Sequence, residues 1–130
     1  MAVRRAGDFC AEDARGGRVA AAVRTGDMPA YSRNRNAAGA SSRTLLRNVV
    51  PALHPERTEM AAALDRAAAL LEGKGAWRID GGGFAGCIQC LVPIPDYESF
   101  RAAMDGYYGI GACFELRTRS CGAYALRKEV

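Results

Sequence analysis

The sequence predicts an α+β domain. Alanine is used heavily, with apolar residues at helical spacing, up to Gly75. The runs after Gly75 turn strand-like, and the order becomes helices followed by strand, loop, strand, helix, strand. An antiparallel or mixed sheet of about three to four strands, backed by helices, follows from that order.

Ala11 to about Arg24 has helical composition, with Gly16-Gly17 weakening its first turn and Gly26 as a stop. Asp27 then caps a second helix with Pro29 in its first turn, and Asn34, Asn36 and Gly39 loosen its end. Ser41-Ser42 lead into a short apolar helix, Thr44 to Val50, closed by Pro51. His54-Pro55 opens the best-defined helix, in which Met60, Ala63, Leu64, Ala67, Ala68 and Leu71 form one apolar stripe. Glu56, Arg57, Asp65, Arg66 and Glu72 lie on its solvated face.

Ala76 to Asp80 reads as a strand, and Cys87 to Val92 as a second one, placed near the middle of the sheet because Gln89 is its only polar residue. Pro93 and Pro95 stop it. Asp96 caps a helix carrying Tyr97, Phe100, Met104, Tyr107 and Tyr108 on a core-packing face. "ACFELRTR" alternates Ala112, Phe114 and Leu116 with Cys113, Glu115 and Arg117, the period of a half-buried strand with Glu115, Arg117 and Arg119 on a solvated edge. Gly122 to Leu126 adds a last short strand. There is no internal repeat and no linker, so residues 1–130 form a single domain.

Composition narrows the function. Net charge is +4, with arginine far in excess of lysine, which suits nucleotides or sugar phosphates. No basic block alternates with aromatics, so nucleic acid is not an expected partner. The N-terminus lacks the apolar core of a signal peptide and no run approaches membrane-spanning length, so the expected compartment is the cytoplasm, with no membrane partner. The five cysteines (Cys10, Cys87, Cys90, Cys113, Cys121) are then expected to stay reduced. Cys87 and Cys90 have CxxC spacing, but positions three apart on a strand face opposite ways, which argues against a shared metal. His54 is the only histidine and reads as a helix-entry residue.

The segment needing explanation is "RIDGGGFAGC", Arg78 to Cys87, in which Gly81-Gly82-Gly83-Phe84-Ala85-Gly86 satisfies G-x-G-x-x-G. A dinucleotide fingerprint needs a helix at its last glycine, and the run after Gly86 is strand-like and proline-broken. A phosphate loop of the Gly-Lys-Ser/Thr type is absent. Two readings remain open on the residues: a wide hairpin whose glycines supply positive φ, or a bare bend that lets a ligand or another backbone approach.

"GAWRIDGGGFAGCIQCLVP" resembles the third signature motif of the GHMP small-molecule kinases in its galactokinase form. Arg78, Gly81, Gly82, Gly83, Phe84, Gly86 and Cys87 match, while Asp80 and Ala85 depart from it. "TGDMPAYSRNRNAAGASSRTLLRNV" and "YYGIGACFELRTRSCGAYAL" resemble the family's preceding helical segment and closing strand. The resemblance implies the GHMP-kinase C-terminal domain, with a ferredoxin-like sheet, belonging to an enzyme that passes the ATP γ-phosphate to the anomeric hydroxyl of galactose. Arg78, Gly81, Gly82, Gly83, Phe84 and Gly86 would support the phosphate site. It implies no catalytic or metal-ligating residue in this portion.

ATP and magnesium would be held mainly by an N-terminal half, whose serine-glycine loop is not found in the sequence. That half is the expected partner, the chain alone is expected to be inactive, and an uncovered docking face would favour self-association. Arg78 either reaches a phosphate or pairs with a carboxylate, and Asp80 suits loop N–H groups better than a phosphate. The reading from another class is a non-catalytic sugar- or partner-binding module. A kinase for N-acetylgalactosamine or arabinose is the variant within the family.

Overall fold

The computed structural model describes residues 2–83 and 86–117. Their architecture is α+β: α1 (Ala2–Thr25), α2 (Met28–Ser41), α3 (Glu59–Leu70), β1 (Ala76–Ile79), β2 (Ile88–Leu91) and α4 (Tyr97–Tyr108). The two strands pair antiparallel, Ala76 opposite Leu91 and Ile79 opposite Ile88. The described sheet thus has two strands where three to four are expected from the sequence.

α1 begins nine residues before the expected Ala11. Ala2 to Cys10 contains no proline, and Asp8 gives this stretch a tertiary anchor: its buried carboxylate accepts a hydrogen bond from the Ser41 hydroxyl of α2. Gly16 and Gly17 stay helical on the exposed side, where each costs about 1 kcal/mol relative to alanine. Asp27 caps α2 as expected, accepting the Ala30 N–H at 2.9 Å, with Pro29 in the first turn.

Asn34, Asn36 and Gly39 do not loosen α2, which runs unbroken to Ser41. The expected helix over Thr44 to Val50 is instead a π-helical turn, Ser42–Leu46, stopped by Arg47 in the left-handed region (φ 58°, ψ 45°). α3 starts at Glu59, after Thr58, because residues 51–57 form exposed turns around His54-Pro55.

The core lies between the sheet and the α3–α4 pair. Val49, Met60, Leu64 and Ile79 form one buried cluster; Ala67, Leu71, Phe100 and Met104 form the other. Trp77 and Ile88 touch both and join them. The α3 stripe therefore packs as expected. On α4 only Phe100 and Met104 of the expected stripe are buried, and Tyr107 stays exposed under the Arg66 guanidinium, 3.3 Å from its ring centroid.

α2 covers the opposite face and the outer edge of β1. Asn36 accepts the Trp77 N–H at 2.9 Å and donates to the Gly75 carbonyl at 3.2 Å. Gly39 permits the approach, since a Cβ there would sit 2.9 Å from the Trp77 carbonyl oxygen.

Ala112 to Arg117 is not a strand, against the alternating pattern of its sequence. No described strand lies beside it, and a strand without a partner leaves its backbone groups to water. The anticipated strand over Gly122–Leu126, Arg119 and Cys121 lie outside the described residues.

Replacing Asn36 with Ala leaves a strand-edge donor and acceptor unpaired beneath α2. The expected loss is about 1–3 kcal/mol of unfolding free energy, read as a lower urea midpoint at unchanged slope.

Candidate functional site

The candidate site is the bend between β1 and β2. It opens no helix. The Asp80 N–H closes the ladder on the Cys87 carbonyl at 3.0 Å, so the glycines turn the chain from one strand into its antiparallel neighbour. Gly81 (φ 65°) and Gly83 (φ 85°) occupy the left-handed region, which accounts for two of the glycines by backbone geometry.

Gly83 has a second constraint. A Cβ there would collide with the Asn48 carbonyl oxygen and lie 2.9 Å from its Nδ2. Asn48 is buried and donates from Nδ2 to the Gly82 carbonyl at 2.9 Å. The left-handed Arg47 turns the chain so that Asn48 follows directly on the π-turn, with its N–H on the Ser42 carbonyl. The bend is thus held from within by residues just after α2. A bulky side chain at Gly83 is therefore incompatible with the fold.

Gly82 has no positive φ and nothing within 4 Å of its would-be Cβ; Gly81 also faces open space. Gly86 is exposed, with only ordinary contacts at 3.8 Å and beyond. Phe84 and Ala85 lie outside the described residues.

Arg78 sits on β1 on the face covered by α1 and α2. Its Nε donates to the Ile79 carbonyl at 3.0 Å and its guanidinium lies 3.9 Å from Glu12 of α1. Glu12 also takes Arg15 at 2.5 Å, and Arg15 lies 3.9 Å from buried Asp8. The carboxylate-pairing alternative for Arg78 is the one the geometry displays. Sequence reasoning missed this Asp8–Arg15–Glu12–Arg78 array, along with Asn48. Asp8, Glu12 and Arg15 follow i, i+4 and i+7 spacing on one helix, a legible signal once α1 is extended to Ala2.

On the other side of the sheet the thiols are insulated. Burial pushes Cys90 up to about 12, with the nearby Cys113 thiol adding to the shift. Burial also raises Cys113, and the Asp105 carboxylate adds to it. Asp105 itself is held below the usual carboxylate range, first by the Cys113 N–H at 3.0 Å and further by the Gly111 and Ala112 N–H groups and Arg101. Cys87 is exposed and precedes β2, so the CxxC pair does not converge. Among the described residues no cluster of His, Cys, Asp or Glu could hold a metal.

No family model matches this sequence, nor does any curated protein or solved structure.

Gly83→Ala meets both a left-handed backbone and the Asn48 carbonyl, so it should destabilise by about 1–3 kcal/mol, while Gly82→Ala stays within about 0.5 kcal/mol in urea unfolding. For Cys90 the raised pKa keeps the folded thiol neutral. Its contribution to stability is complete below the ordinary value of 9.0 and is lost as pH rises from there towards about 12, because the unfolded chain ionises first. Alkylation by iodoacetamide at pH 8.5 should modify Cys10 and Cys87 well before Cys90, read by peptide mass mapping.

Proposed function

We propose that this polypeptide is the C-terminal portion of a GHMP-type sugar kinase, with galactose as substrate and the cytoplasm as compartment. In this reading the γ-phosphoryl of magnesium-bound ATP passes to the anomeric hydroxyl of the sugar. The nucleotide, the metal and the base acting on the sugar belong to an N-terminal half that docks against the glycine bend. The observation that carries the reading is the bend itself, a glycine-rich connection between adjacent antiparallel strands with Gly81 and Gly82 facing open space. A bare surface of this kind lets a second backbone come within contact distance.

Phosphoryl transfer depends mainly on positioning and electrostatic stabilisation, so a buttress can govern turnover without touching substrate. In the proposed enzyme Gly82 is a positioning residue. Gly83 keeps the bend seated on Asn48, and Arg78, tied to Glu12, fixes the strand that leads into it. Among the described residues no helix is long and apolar enough to cross a membrane.

The test supplies a galactokinase N-terminal half in trans and follows galactose-dependent ATP consumption. Activity is expected from the mixture and from neither part alone. In the reconstituted enzyme Gly82→Val should lower kcat by about 10-fold or more with KM for galactose nearly unchanged. Unaltered turnover removes the positioning role. Phosphorylation of galactose by the isolated chain removes the division of labour between the halves.

A further inference from the structure

α1 is covered on one side only. It packs against α2 and the π-turn, and of its residues only Asp8 and Ala22 are buried. The opposite side leaves two large apolar side chains in water, Phe9 at 76% and Val23 at 60% exposure. Asp13 and Arg24, both exposed on that side, form no ion pair among the described residues. Gly16 and Gly17 lie between them. Neither has a positive φ or any atom within 4 Å of a would-be Cβ, so nothing inside the chain asks for glycine at mid-helix.

The helical repeat gathers these features into one seam. Asp13, Gly17, Ala20 and Arg24 recur at spacings of four, three and four, the pattern by which two helices pair. Gly16 and Val23 flank the seam on one side, Ala14 and Ala21 on the other.

The seam is complementary to itself when a second copy runs antiparallel. With a two-fold axis level with the Arg18–Val19 peptide, Asp13 of each copy lies opposite Arg24 of the other, and Gly17 lies opposite Ala20. Two charge pairs then close the ends of a seam in which small residues let the helix backbones approach. Val23 covers the space left at Gly16 of the other copy, and Ala14 meets Ala21. Phe9 reaches the end of the other α1, where Met28 is also exposed. Parallel copies would instead set Asp13 against Asp13 and Arg24 against Arg24.

We propose that this chain forms a two-fold dimer through the outer face of α1. A second copy is the partner because one face supplies both members of each charge pair, the requirement for an isologous contact. The paired stretch from Phe9 to Arg24 is only about 23 Å long, so the dimer is a weak and exchanging one. The inference stands apart from the kinase reading, which places its partner at the glycine bend.

Sedimentation equilibrium of the full chain under reducing conditions, from about 1 µM to 1 mM, should show monomer and dimer with a Kd of about 10–100 µM. Association should weaken in about 1 M salt. Gly17→Leu fills the seam at a position that is open in the monomer and favours the helix. It should therefore keep the helical circular dichroism, raise the urea midpoint of the dilute chain and weaken the dimer at least tenfold. Asp13→Arg and Arg24→Asp should each weaken it at least tenfold as well. An equimolar mixture of these two should associate within about threefold of the unaltered chain, because one variant then presents only arginines and the other only aspartates.

A chain that stays monomeric at about 1 mM overturns the proposal. So does undiminished association of Gly17→Leu, or a mixture that associates no better than either charge variant alone. The first variant tests the face, and the mixture tests the antiparallel register.

Discussion

The fold turns on the contact between Asn36 and the edge of β1. A two-stranded ribbon in water is marginal, because each strand has one edge whose backbone groups are unpaired. Here one side-chain amide takes a donor and an acceptor of the β1 edge, Trp77 N–H and Gly75 C=O, and holds α2 against the sheet. Gly39 lets the helix backbone come close enough for the amide to reach. The same seating delivers the end of α2 to the place where Ser41 meets Asp8, so α1 is fixed through α2. It also places the π-turn and Asn48 over the glycine bend. One polar contact thereby sets the relation of the first two helices, the sheet and the bend.

The two sides of the ribbon are built differently. Towards α3 and α4 the contacts are apolar, with Trp77 and Ile88 bridging both clusters. Towards α1 and α2 they are polar, the Arg78–Glu12–Arg15 array and the Arg35–Gln89 bond. Burial of Leu71, Ile79 and Phe100 supplies about 1.5–3 kcal/mol each, so the apolar side carries most of the stability. The polar side contributes less energy and more geometry. A charge pair or amide bond has a direction, and it fixes which residue of β1 lies under which turn of the helices.

How much of this was legible follows the physics of each signal. Local signals were read correctly: Asp27 as a cap, the apolar stripe of α3, the period change at Gly75 and the extents of both described strands to within a residue; the expected central position of the second strand was not, since β2 pairs only with β1 among the described residues. Residues that act over long distances in sequence were not. Asn36 and Gly39 have poor helix propensity and read as the fraying end of α2, yet each is retained for a contact with β1 that lies some forty positions on. Asn48 was hidden in a run of apolar residues that suggests a helix. The alternation in "ACFELR" was real, but a strand is a relation between two chains of residues, and period alone does not supply the neighbour. Within the bend, the need for positive φ was legible; which glycine faces inward was not.

That last distinction gives the bend its meaning. A hairpin connection needs small residues only where φ is positive or a backbone is near. Those needs are met by Gly81 and Gly83, the second pressed on Asn48. Gly82 meets neither condition, and the atoms nearest to Gly86 are at ordinary contact distance. Glycine costs conformational entropy wherever its freedom is unused, so a glycine the fold does not require is an expense without an internal return. Gly82 is such a residue, at the open side of the turn. In the proposed kinase, a bare backbone there would serve a second backbone that approaches from outside and grips the phosphate.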